Sequence, residues 1–188
     1  MSVLSKLFGR DPVTVKTTAA RPLRIRDPKI GFLNLLGAAG DAMVTIDQRA
    51  LSPLFRASHA STAAVPRCEV LFIYSDIDAS GRLPAYREGL RSLLKTAGAY
   101  VAVVASANPP EHYTKILGPR KDWYANVTMI LDRKDDKLAL FFQQLFERMF
   151  AGQSMLLAWV VLAPQGGRGN PDAPGMIMAA EAGHIAFS

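Results

Sequence analysis

Two aspartates one residue apart, Asp76 and Asp78, follow directly on the apolar run Val70-Leu-Phe-Ile-Tyr74. Carboxylates in that arrangement can hold a hard cation such as Mg²⁺, attack an electrophile or exchange a proton. Other groups fall at comparable places. Ser75 precedes the pair, Ser106 and Asn108 follow a second apolar run (Tyr100-Val-Ala-Val-Val104), and Asp132 follows a third, Asn126 to Leu131. The expected catalytic residues are therefore Asp76 and Asp78. Asp132 would join them as a third Mg²⁺ ligand, and Ser75, Ser106, Asn108 and Asp132 would contact a bound ligand. The plainer alternative is that Asp76 and Asp78 brace their own turn by accepting backbone N–H groups, as Asp does in many loops.

The elements that must position these groups are legible from Glu69 onward. Continuous apolar runs of about five residues suit strands covered on both faces of a parallel sheet. Between the first two runs, Leu83, Tyr86, Leu90, Leu93, Leu94 and Ala97 recur at helical spacing, with Pro84 in the first turn and Gly98 at the end. Strand, helix and strand in that order form a right-handed βαβ unit. Residues 111–117 read as a short helix. Lys137 to Phe150 reads as a longer one, with Leu138, Phe141, Phe142, Leu145, Phe146 and Met149 at steps of three and four. Met155 to Ala163 reads as a fourth strand, 164–175 as a Gly/Pro-rich loop, and 176–180 and 185–187 as short terminal strands. Upstream, residues 11–29 read as an extended linker. A hairpin around Gly37 and Gly40, running into a β-rich Ala42 to Asp47, fits, and so does a helix over 30–38. Residues 57–67 read as a surface loop. The fold class is α/β: a single three-layer, Rossmann-like domain over 30–188 with a mainly parallel sheet. In such sheets ligands bind beyond the carboxyl ends of the strands, which is where Asp76, Asp78, Ser106, Asn108, Asp132 and Gln165 would fall.

Other chemistry-bearing residues are weaker candidates. His59, His112 and His184 lack metal-ligand spacing. Cys68 precedes a strand, at the wrong end of the sheet for a nucleophile. The Gly37-x-x-Gly40 pair lacks the Lys-Ser/Thr of a phosphate loop, and Gln165-Gly-Gly-Arg168-Gly suits a surface loop better than an anion cradle.

Composition bounds the rest. The 188 residues are 49% hydrophobic, enough for one domain with a large core. A single cysteine excludes an internal disulfide. With no signal-peptide pattern at the start, this points to a reducing compartment, and the expected location is the cytoplasm. The longest apolar run is nine residues, too short to span a bilayer. Residues 1–29 form a basic arm. To residue 30 the chain holds seven basic and two acidic side chains, against 15 and 14 in the remainder, so almost all of the net charge of +6 belongs to the arm. Val3, Leu4, Leu7 and Phe8 could form one apolar face of a short helix within it. A partner protein, or a second copy of the chain, is expected to bind through 1–29. The neutral body, with no aromatic residues interleaved among basic ones, argues against nucleic acid.

Two partial resemblances follow from these motifs. The stretch from Val70 to Asn108, with Asp76-x-Asp78, Gly81, Leu93-Leu94-Lys95-x-x-Gly98 and Val103-Val104-Ala105-Ser106-Ala107-Asn108, resembles the start of haloacid-dehalogenase-like phosphohydrolases. That resemblance implies Asp76 as nucleophile, Asp78 as general acid/base and Ser106 as a phosphate contact, with Mg²⁺ as cofactor. The chain departs from the family in having Ala79-Ser80 after the second aspartate, and Lys115 and Asp132 are only loose counterparts of its later lysine and acidic pair. The run Gly89-Leu90 through Ala99, then Val103 to Ser106 and Pro109, with Phe141-Phe142-x-x-Leu145 and Ala151-Gly152-x-Ser154, is similar to caspase-like CHAT domains, but their catalytic Cys and His are missing. The expected function is accordingly a non-catalytic binding or regulatory module. The alternative is a Mg²⁺-dependent phosphohydrolase using Asp76.

Overall fold

The computed structural model describes residues 23–80, 82–87, 89–105, 126–132, 137–162, 175–179 and 184–188, with the backbone alone in 126–132 and 175–179. The expected helix at 111–117 and the loop at 164–174 lie outside these residues, as do Ser106, Asn108, His112, Lys115 and Gln165.

The core is a six-stranded sheet. Its strands are β2 (Lys29–Asn34), β3 (Ala57–Ser61), β4 (Val70–Tyr74), β5 (Val101–Ala105), β6 (Asn126–Asp132) and β7 (Gly175–Ala179), in the order β3-β2-β4-β5-β6-β7. β2 pairs in parallel with both β3 and β4, β4 with β5, and β5 with β6. β7 closes the far edge antiparallel to β6. The three apolar runs of the sequence therefore lie side by side and point the same way. β4 and β5 are buried along their whole length, which is why their sequences are apolar without alternation.

The chain leaves β2 through α1 (Ala38–Leu51) towards β3, then returns to the other side of β2 and moves through α2 (Gly89–Ala97) from β4 to β5. Right-handed crossovers taken in opposite directions place their helices on opposite faces. Accordingly α1 packs with α3 (Lys137–Phe150) and α4 (Met155–Leu162) over Phe32, Phe72, Tyr74 and Val103, while α2 packs over Leu33, Leu71, Ile73 and Val104. The first face is aromatic: the Phe72 ring meets Phe142 edge-on at 5.2 Å, and Phe146 bridges to Phe55 and Phe187. The second is aliphatic.

Outside the main sheet, β1 (Leu23–Ile25) pairs in parallel with β8 (Ile185–Phe187), and Ile25, Ile185 and Phe187 join the aromatic core. The Ser188 amide donates to the Ile25 carbonyl at 3.0 Å and the Asp27 amide to that of Ser188 at 2.9 Å. Residues 23–29, part of the expected linker, thus carry β1 and the start of β2.

Four upstream and downstream readings are corrected. Ala42 to Asp47 is the middle of α1, not a strand. Its buried positions, Gly40, Val44, Asp47 and Leu51, have helical spacing, but the row contains a glycine and an aspartate, so no apolar stripe shows. Ala57–Ser61, read as loop, is a half-exposed edge strand of small residues. Met155–Leu162 is a helix, not a fourth strand. An evenly apolar run shows no period to separate the two; the discriminating signal is Ser154, whose hydroxyl accepts the Leu157 amide at 3.3 Å, as an N-cap does. Gln165 accordingly does not follow a strand end. α2 starts at Gly89 rather than Pro84, after a turn in which the Tyr86 amide donates to the Leu83 carbonyl.

Candidate functional site

In a sheet of this order the topological switch lies between β2 and β4, and the crevice beyond their carboxyl ends is the favoured ligand position. Here that position is built by Asn34 at the end of β2 and Tyr74 at the end of β4, which are register partners. Both side chains point to the α1 face.

Asn34 is buried at 3% exposure, and its amide group ties the corner together. Nδ2 donates to the Gly37 carbonyl at 2.9 Å and to Asp41 Oδ1 at 2.8 Å, while Oδ1 accepts the Leu36 amide at 3.0 Å. The Gly37-x-x-Gly40 pair makes this possible. Gly37 turns the chain at φ 62°, a conformation natural only to glycine. At Gly40, an added Cβ would stand 2.1 Å from Asn34 Oδ1. These glycines therefore seat an asparagine against the helix start rather than cradle a phosphate. Six residues beyond Asp41 along α1, Asp47 is wholly buried and accepts a hydrogen bond from the Tyr74 hydroxyl at 2.6 Å. Sequence reasoning did not single out Asn34, Asp41, Asp47 or Tyr74. Asp47 falls in a stretch that reads as β, and Tyr74 reads as the end of an apolar run.

Beside this corner lies an open cleft of about 490 Å³, whose polar lining is Asn34, Asp41, Thr45, Ser61 and Thr62. Among the described residues no lysine or arginine lines it. Ser61 is held in place by its own turn, its hydroxyl accepting the Ala64 amide at 3.0 Å.

Of the expected site residues, Ser75, Asp76, Asp78 and the backbone of Asp132 are described. Ser75 is buried and its hydroxyl donates to the Asp76 carbonyl at 2.8 Å. Asp76 is exposed. Asp78 Oδ1 accepts the Ser80 amide at 2.8 Å, the Ser80 hydroxyl at 2.6 Å and the Arg82 amide at 2.9 Å. The Asp78 amide in turn donates to the Arg82 carbonyl at 2.9 Å. The Ser80 hydroxyl, then the Arg82 amide, hold the Asp78 carboxyl below its ordinary range. Asp132 is the last residue of β6. Tyr74, Ala105 and Ile130 are aligned across β4, β5 and β6, so Asp76 and Asp132 both stand two residues beyond one row of the rim. Two strand spacings, about 10 Å, separate the backbones of Tyr74 and Ile130 in that row. The Asp132 side chain lies outside the described ones.

Of these carboxylates, Asp78 has the least to offer Mg²⁺. A hard cation needs carboxylate oxygens to spare, and one oxygen of Asp78 already takes three hydrogen bonds. Among the described residues no three His, Cys, Asp or Glu side chains are grouped to hold a metal ion. Of the weaker candidates, His59 is an exposed residue of β3 and His184 is exposed ahead of β8. Cys68 is buried against Gly31, and that burial pushes its thiol up to about 12, which leaves it protonated and inert.

Comparison with known proteins finds no match: no family model, no curated protein and no solved structure is significantly similar to the chain. The likenesses to phosphohydrolases and CHAT domains thus rest on their short motifs alone. No helix among the described residues is long and apolar enough to cross a membrane.

Proposed function

We propose that this chain is a non-catalytic binding or regulatory module that receives a ligand at the carboxyl edge beside α1 and meets a protein partner through its basic arm. The observation that carries this reading is the state of the polar groups along the edge. Asp78 is committed to its own turn, Ser75 to a backbone carbonyl, Asn34 to Asp41 and to the turn at Gly37, and Tyr74 to Asp47. Groups held this way shape a surface. Nucleophilic or acid/base work asks instead for a carboxylate or hydroxyl aimed at a substrate. The cleft, lined by an amide, a carboxylate and hydroxyls, suits a neutral or cationic hydrogen-bonding ligand better than a phosphate, for which basic side chains or an array of amides would be expected.

The deciding experiment is turnover of an aryl phosphate with Mg²⁺. The expected result is no hydrolysis above background, with the Asp76→Asn variant indistinguishable from the parent. Hydrolysis that Asp76→Asn abolishes would replace this reading with the phosphohydrolase one, which draws on Asp76 and Asp132 sharing one rim. For the arm, deleting residues 1–22 is the appropriate cut, since β1 starts at Leu23. The truncated chain should keep its fold, seen by circular dichroism, and lose an association seen by sedimentation or pull-down with the full chain. Identical profiles for the two would count against contact through the arm.

A further inference from the structure

α4 carries an exposed apolar surface. Its inner side, Met155 and Ala158, is buried in the aromatic core, whereas Leu156, Leu157, Val160 and Val161 are 41%, 53%, 46% and 47% exposed. Those four positions follow the spacing i, i+1, i+4, i+5, which makes two adjacent ridges, each of two residues about one helical turn apart. The same spacing occurs in the N-terminal arm, at Val3, Leu4, Leu7 and Phe8, with Ser5, Lys6 and Arg10 between and after them. Ridges four residues apart on two helices interdigitate in the commonest class of helix packing.

The start of the described chain is close by. β1 begins at Leu23 and pairs with β8, against which α4 also packs. The Arg24 guanidinium lies over Gly152 in the α3–α4 turn, where a Cβ on that glycine would be 3.7 Å from Nη2. Fourteen residues separate Phe8 from Leu23, a reach of up to about 45 Å.

We infer that residues 3–8 of this chain dock as a short amphipathic helix on the exposed face of its own α4. Area favours the tethered occupant over a second copy. Four half-exposed side chains offer on the order of 200 Å², far short of the roughly 800 Å² per partner in a stable complex. A tethered segment instead works at an effective concentration in the millimolar range.

Cross-linking tests this in the full chain. Cysteines are introduced as Leu4→Cys with Leu157→Cys, and Cys68 is left in place because its buried thiol does not compete. Mild copper–phenanthroline oxidation should give a disulfide within one chain, seen as a faster-migrating monomer. The control pair Leu4→Cys with Lys95→Cys, on the opposite face of the sheet, should give little. A covalent dimer as the main product would show that a second copy takes the site and would overturn the inference, as would equal yields from the two pairs. The second measurement uses changes confined to the arm, which leave the core side chains intact. In Leu4→Asp/Leu7→Asp, amide exchange across residues 156–162 should rise at least tenfold. Unchanged exchange there means that something other than the arm covers α4, and the inference fails.

Discussion

The two sides of the carboxyl end of β4 use the same residue types to opposite effect. Towards α1, a carboxyl and a phenol are sealed in the core: Asp47 and Tyr74 are both fully buried and bonded to each other. Beyond the strand, Asp76 and Asp78 sit at the surface, and Asp78 does no more than pin a turn of five residues. Position relative to the helix makes the difference. Where α1 roofs the strand end, each polar group must find a fixed partner, because an unpaired one costs about 1–3 kcal/mol. Where the chain runs into a loop, water satisfies what the backbone does not. An aspartate pair after an apolar run is conspicuous in a sequence, yet the carboxyl to which the structure commits most is the inconspicuous Asp47.

If this contrast is right, the largest effect belongs to the smallest change on the α1 side. In Gly40→Ala the new methyl collides with Asn34, which cannot move without giving up its bonds to Gly37, Asp41 and Leu36. Helix propensity returns about 1 kcal/mol. Overpacking and the stranded polar groups outweigh it, for a net loss of about 2–4 kcal/mol. Urea unfolding measures it. A stabilised Gly40→Ala would mean that the asparagine corner is not tightly built.

Tyr74→Phe comes next. It keeps the ring and removes one donor from a buried carboxyl, at an expected cost of about 1–2 kcal/mol. The informative companion is the double variant Tyr74→Phe/Asp47→Asn. Coupling well under 0.5 kcal/mol in that cycle would show that the pair does not act as a unit.

These corners also explain how much could be read in advance. β4, β5, β6 and α3 were legible because each carries a pattern with one interpretation: short unbroken apolar runs, or apolar residues three and four apart. The parallel rim followed from them. α1 was not legible because its buried row includes Gly40 and Asp47, and the β-branched residues at its middle, Val44, Thr45 and Ile46, favour strands locally; the tertiary contacts of Asn34 and Tyr74 override that preference. α4 failed for the reverse reason, being apolar on all sides. On the site, Asp76, Asp78 and Asp132 fall at the carboxyl ends of β4 and β6, as the apolar runs before them indicate. Sequence could not show that Asp78 spends its acceptor locally, nor that the asparagine ending β2 and the tyrosine ending β4 point into the same layer. Strand order supplies that last fact, and β3, the strand that fixes the switch point, has the sequence Ala-Ser-His-Ala-Ser, in which little suggests a strand.

The smallest effect should come from Asp78, and its pH dependence is its signature. The Ser80 hydroxyl and the two amides stabilise the ionised form, so the folded carboxyl titrates below its unfolded value of about 3.9. A depressed folded value contributes stability above the unfolded one, and that contribution disappears as pH falls through the folded value. Asp78→Ala should therefore lower the urea midpoint slightly near neutral pH, and the gap from the parent should close on acidification below about pH 4. Because the group is at the surface, salt should shrink the gap as well. Tyr74→Phe should behave differently, with a deficit that salt leaves unchanged, since its bond is sealed from solvent. If Asp78→Ala proved as costly as Tyr74→Phe at neutral pH, the turn would be anchoring more than itself, and the division between the sealed and solvated sides of β4 would have to be redrawn.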